Sequence, residues 1–127
     1  MRDAKRVTMT DIVRYAGASG DFTPIHHDLE VARGAGHDRI FAMGMLSAGY
    51  LGRLVTESFP SHTLRSISFR FVDRVWVGDR LQLTCEFDDK SKLPTDGILR
   101  LSLSADVEGR MVIIGRAEMS YEETFTN

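Results

Sequence analysis

After Pro60 the apolar residues fall at every second position. Ile67, Phe69 and Phe71 alternate with polar partners, as do Leu81, Leu83, Cys85 and Phe87, then Leu99, Leu101, Leu103 and Ala105, and last Met111, Ile113, Ala117 and Met119. A period of two places each set on one face of a half-buried strand, so four long strands are predicted. Gly78-Asp79, the loop Lys90–Gly97 and Glu108-Gly109-Arg110 punctuate them with turn-forming residues. That punctuation predicts hairpins and largely antiparallel pairing.

Before Pro60 the pattern is helical. Ile12, Val13, Tyr15 and Ala16 follow Thr10 at helical spacing, which predicts a short helix capped by Thr10, running to about Ala18 and closed by Gly17 and Gly20. A second short helix is predicted from Leu29 to Arg33, capped by Asp28 and broken by Gly34 and Gly36. The run IFAMGMLSAGYLGRLVTESF carries only Arg53 and Glu57 as charges, both in its last third, and reads as a buried helix from about Gly44 to Ser58. Its small residues Gly44, Ser47, Ala48, Gly49 and Gly52 let other backbones approach closely. A sheet with one apolar face needs a cover, and this helix is the only element long enough to provide it. The expected class is α+β, with a long central helix wrapped by a curved antiparallel sheet.

Composition narrows the field of functions. With 127 residues the chain supports one core, so residues 1–127 are expected to form a single domain. The net charge of −2, with Lys and Arg scattered among acidic residues, offers no basic stripe for a phosphate backbone, and no nucleic-acid partner is expected. MRDAKRVTMTD at the start has no apolar run behind its charges. Neither a secretory signal nor a membrane span is visible, and the expected location is cytoplasmic. The single cysteine, Cys85, has no partner for a disulfide or a thiolate cage and reads as buried filler.

Candidate chemistry concentrates in SGDFTPIHHD, residues Ser19 to Asp28. Pro24 lacks a backbone N–H and biases Thr23 away from helix, so Asp21 to His26 is predicted to run as an irregular or extended loop whose side chains can converge. A bland reading exists, because Asp, Thr and Pro make good turns and exposed histidines cost little. A metal site at His26, His27 and Asp28 is disfavoured, since neighbours on an extended chain point to opposite faces. Asp28 reads as a helix cap, and His37 and His62 as solvated surface.

YAGASGDFTPIHHD followed by FAMGML resembles the signature of MaoC-like dehydratases and (R)-specific enoyl-CoA hydratases. In that family Tyr or Phe with Ala precedes Ser-Gly-Asp, a variable residue, Asn-Pro-Ile-His-x-Asp and, after an interval, His-Gly-Met-Leu. The detailed resemblance covers roughly residues 7 to 55. It implies the hot-dog fold and the interconversion of a trans-2-enoyl thioester with a 3-hydroxyacyl thioester by addition or loss of water. It also implies no separate cofactor, because CoA or acyl-carrier protein enters as part of the acyl thioester substrate. A homodimer or dimer of dimers is implied as well.

By position the resemblance makes Asp21 and His26 the catalytic pair, with Asp21 read as the water-orienting base and His26 as its partner in proton transfer, the division of labour between them open. His27 falls at the variable position. Gly44 matches the family glycine whose N–H faces the thioester oxygen, although helix–sheet packing alone would also explain a glycine there. Met43, Met45 and Tyr50 are candidates to line an acyl tunnel, and Thr23 to brace the loop or meet the substrate. Two positions depart from the pattern: Thr23 stands where the family has Asn, and Met43 where it has His. Two other readings stay open, a hot-dog thioesterase using Asp21 against the carbonyl and a catalytically silent subunit of a heteromeric dehydratase.

Overall fold

The computed structural model describes residues 1–88 and 97–121. In chain order the elements are β1 (Arg2–Arg6), α1 (Met9–Ser19), a single 3-10 turn (Pro24–His26), α2 (Leu29–Gly34), α3 (Gly44–Ser58), β2 (His62–Phe71), β3 (Arg80–Phe87), β4 (Ile98–Val107) and β5 (Arg110–Tyr121). The strands form one antiparallel sheet in the order β1-β3-β4-β5-β2. Register shifts at Leu64/Ser66 and Ala105/Asp106 bend it. The sheet curls round α3, which packs against every strand.

The inward face is built from the alternation in the sequence. Leu81, Leu83 and Cys85 of β3, Leu101, Leu103 and Ala105 of β4, and Ile113, Ala117 and Met119 of β5 are buried, and they meet Leu46, Leu51, Leu54 and Val55 of α3. Each fully buried Leu or Ile removes enough apolar surface from water to contribute ~1.5–3 kcal/mol. Burial pushes the Cys85 thiol pKa up, in keeping with its place as core filler. No helix among the described residues is long and apolar enough to cross a membrane.

Several sequence expectations are corrected. Thr8, not Thr10, caps α1: its hydroxyl accepts from Asp11 N–H while the Asp11 carboxylate accepts from Thr8 N–H, a reciprocal capping box. The Asp11 carboxyl is held below its usual pKa, chiefly by that Thr8 backbone bond. Gly20, at φ 78°, ends the helix in the left-handed region where a side chain would be strained. β1 was not expected, because RDAKR has no buried side chain and therefore no alternation to read. It adds as an edge strand through its backbone.

Gly78-Asp79 is not a hairpin. β2 pairs with β5 at the far edge and β3 pairs with β1 and β4, so residues 72–79 cross from one part of the sheet to another. Glu108-Gly109 does close a hairpin, β4 to β5, with φ 50° and 84°. The Lys90–Gly97 loop lies outside the described residues apart from Gly97. Phe71, Phe87 and Met111 are exposed rather than buried, each at or next to a strand end. α3 itself is buried on one face only, and Met45, Gly49 and Arg53 stand open on the other. His37 and His62 are both half-buried among rings, His37 against Phe41 and Trp76, His62 between Phe59 and Tyr121.

Candidate active site

The loop after α1 turns on the Asp21 carboxylate. Its Oδ1 accepts from the Thr23 hydroxyl at 2.7 Å and from Thr23 N–H at 3.2 Å, an Asx turn that fixes the aspartate before the proline. Thr23 is extended and Pro24 opens the 3-10 turn, so the stretch expected to be irregular ends in one tight turn. Proline's fixed φ and missing N–H suit that first position. The turn buries His26 and leaves His27 exposed. Asp28 caps α2 through Glu30 N–H and Val31 N–H.

His26 is oriented from the opposite side. Residues 40–42 bridge antiparallel to 75–77, with Ala42 N–H on Val75 O and Val77 N–H on Ile40 O. In such a pair the intervening residue turns its polar groups the other way. The Phe41 carbonyl is thereby free to take His26 Nδ1 at 2.8 Å. A carbonyl only accepts, so Nδ1 carries the proton and Nε2 presents its lone pair in the neutral ring. That Nε2 lies 3.9 Å from Asp21 Oδ2.

The gap is too long for a direct hydrogen bond and suited to one water. A water about 2.8 Å from each atom would see them about 90° apart, close to the angle between its own two hydrogens. Asp21 is held below the ordinary carboxylate pKa by the Thr23 hydroxyl first and then by Thr23 N–H. It stays ionised and accepting at neutral pH.

A cavity of about 450 Å³ adjoins the pair, lined in part by Phe41, Gly44, Met45, Ser47, Phe71 and Arg74. Asp21 and His26 do not line it themselves. Phe41 joins the two, since it lines the cavity and its ring stands edge-on to the His26 ring at 5.1 Å. Gly44 is the first residue of α3, where the backbone N–H precedes the helical ladder and the helix dipole is positive. A Cβ at this glycine would stand 2.8 Å from the Phe71 ring.

The chain matches the MaoC like domain profile over residues 1–103. It belongs to the MaoC-like family. The mitochondrial 3-hydroxyacyl-acyl-carrier-protein dehydratase of Arabidopsis thaliana is 33% identical over 81 residues, which are 64% of this chain and 49% of that protein. The match therefore spans about half of that relative. The (R)-specific enoyl-CoA hydratase of Rhodospirillum rubrum is 28% identical over 116 residues, 90% of this chain and 79% of that one. The solved (R)-hydratase from A. caviae involved in PHA biosynthesis superposes with a TM-score of 0.87 at 25% identity, covering 96% of this chain and 93% of that one. These likenesses identify the architecture as the hot-dog fold.

Against this MaoC-like frame the expected site residues divide. Asp21, His26, Gly44 and Met45 lie at the pair or on the cavity wall. Thr23 serves the aspartate, both of its donors being spent on Asp21 Oδ1. Met43 is 4% exposed and packed in the core, because the residue before α3 points inward under the sheet. Tyr50 is half-buried away from the cavity, with Lys5 over its ring and its hydroxyl pKa raised by burial. Sequence reasoning gave Ser47 only a packing role, yet it lies on the cavity wall. Its spacing of three from Gly44 was the available signal. Among the described residues no three His, Cys, Asp or Glu side chains converge to hold a metal.

Proposed function

We propose that this protein adds water to a trans-2-enoyl thioester to give the 3-hydroxyacyl thioester, and runs the reverse dehydration, with the carrier CoA or acyl-carrier protein. The observation that carries the reading is the 3.9 Å spacing of Asp21 Oδ2 and His26 Nε2, which lets one water beside them meet both, each side chain being held through its other polar atom, Asp21 Oδ1 by Thr23 and His26 Nδ1 by the Phe41 carbonyl.

In the hydration direction both atoms accept hydrogens of one water. As its oxygen bonds to the β carbon, one O–H bond breaks and the proton passes to His26 Nε2, whose lone pair is left open by the Nδ1–H bond to the Phe41 carbonyl. Asp21, with its pKa depressed, is the weaker proton acceptor and acts by aiming the water and balancing the imidazolium charge. The pair of electrons displaced from the double bond moves onto the thioester oxygen, where the Gly44 N–H and the α3 dipole stabilise it. The His26 imidazolium then gives its proton to the α carbon, which completes the addition and restores the neutral ring.

Assembly is part of the proposal. β1 and β2 are the sheet's two edges, and Val72 and Ile114 are exposed beside β2. An open edge with an apolar flank favours pairing with a second copy, so a homodimer or dimer of dimers is proposed.

The test follows loss of conjugation and release of free thiol together, on enoyl-CoA and enoyl-acyl-carrier-protein substrates. Hydration without thiol release is expected, with Asp21→Asn and His26→Ala each at least ~100-fold slower and His27→Ala close to wild type. Thiol release as the main reaction would favour a thioesterase. Near-wild-type hydration by Asp21→Asn would remove the mechanism.

A further inference from the structure

Ser47 is wholly buried, and its hydroxyl oxygen has no hydrogen-bond partner. Leaving a buried hydroxyl unpaired costs ~1–3 kcal/mol, and a serine in a helix ordinarily avoids that cost by bonding the carbonyl four residues back. Here that bond to Met43 is not made. Ser47 lies three residues after Gly44, on the same face of α3, and both line the 450 Å³ cavity. Side chains on a helix tilt toward its N-terminus, so the Ser47 hydroxyl overlooks the turn that Gly44 opens, and no Cβ at Gly44 intervenes.

We infer that Ser47 is a second hydrogen-bond donor to the thioester carbonyl oxygen, completing with the Gly44 N–H a two-donor oxyanion site built from the first turns of α3. This rests on the hydratase reading above and adds a residue to it. The donor is a neutral hydroxyl, so it gives no charge to the ground state and strengthens as negative charge gathers on the oxygen. Phe71, itself 49% exposed, lays its ring on Gly44 and lines the same cavity. Outward rotation of the ring admits the carbonyl to both donors.

Two measurements test the assignment. In the first, Ser47→Ala is expected to lower kcat on a short enoyl-CoA by ~100-fold with KM little changed, the pattern of a donor used mainly at the transition state. In the second, binding of a saturated acyl-CoA is compared with that of its thioether, in which CH2 replaces the carbonyl. Wild type should prefer the thioester, Ser47→Ala should lose about five-fold of that preference, and Asp21→Asn should keep it. The binding ratio needs no turnover, so it tests the donor even where hydration fails. Unchanged kcat and an unchanged ratio, with a raised Tm in Ser47→Ala, would show a strained packing serine and overturn the inference.

Discussion

Replacing Gly44 with alanine puts a methyl group where the Phe71 ring already is. An ideal Cβ at position 44 lies 2.8 Å from both Cδ1 and Cε1 of Phe71 and 3.4 Å from its Cγ. Carbon atoms in good contact are about 3.5–4.0 Å apart, so the ring has to retreat by about 1 Å. Overpacking a core costs ~1–3 kcal/mol, but this ring is half exposed and can turn toward solvent, which puts the cost at the low end. Alanine also recovers part of the ~1 kcal/mol that glycine forfeits in a helix. The net change should stay within ~1 kcal/mol, or no more than about 5 °C in Tm for a chain of this size. Catalysis should suffer far more. The new methyl obstructs the approach of the thioester oxygen to the N–H, and losing an oxyanion donor costs ~10²–10³ in kcat. Thermal melts and initial hydration rates on a short enoyl-CoA measure the two effects. The double variant Gly44→Ala with Phe71→Ala isolates the cause: its stability should match Phe71→Ala alone, while its rate stays low. Recovery of the Phe71→Ala rate in the double variant would show that only the ring matters and refute the oxyanion role of Gly44.

Other expectations follow from the same geometry. Thr23→Val removes the hydroxyl that contributes most to the lowered Asp21 pKa, so that pKa should rise. Because the proposed mechanism uses ionised Asp21, activity should begin to fall on acidification at a higher pH than in wild type; an unmoved acid limb in kcat/KM would contradict the brace. Met43→His places a polar ring in an apolar core position and should cost ~1–3 kcal/mol, read as a lower Tm, with the rate ratio between short and bulky enoyl thioesters unchanged. A shifted ratio at unchanged Tm would return Met43 to the substrate. Light scattering on the purified chain should give two or four times the mass of one copy, and a monomer at micromolar concentration would count against the proposed edge pairing.

The fold was legible wherever side chains alternate between core and solvent. β3, β4 and most of β5 follow the period of two because one face meets α3 and the other water. β1 could not be read that way, since it joins the sheet through backbone groups alone. Crossing topology was also hidden: Gly78-Asp79 carries turn chemistry, but which strands flank a turn is decided by long-range pairing. At the site, Asp21, His26 and Gly44 were singled out through a motif, whereas Met43, expected on an acyl tunnel, packs in the core, because a residue just before a helix can face either core or cavity. Local spacing does not choose between them. The tautomer of His26 was unreadable for a similar reason, because it depends on a carbonyl fifteen residues away.

Phe41 carries two duties through different atoms. Its main-chain oxygen holds the imidazole, and its ring shapes the neighbouring cavity. The backbone position is set by the bridge to residues 75–77 and survives a change of side chain. Variation at this position can therefore change the cavity lining while the His26 ring keeps its orientation. Diversification of acyl preference and preservation of the chemistry are separable at a single residue, which makes position 41 a natural entry point for directed evolution of the pocket.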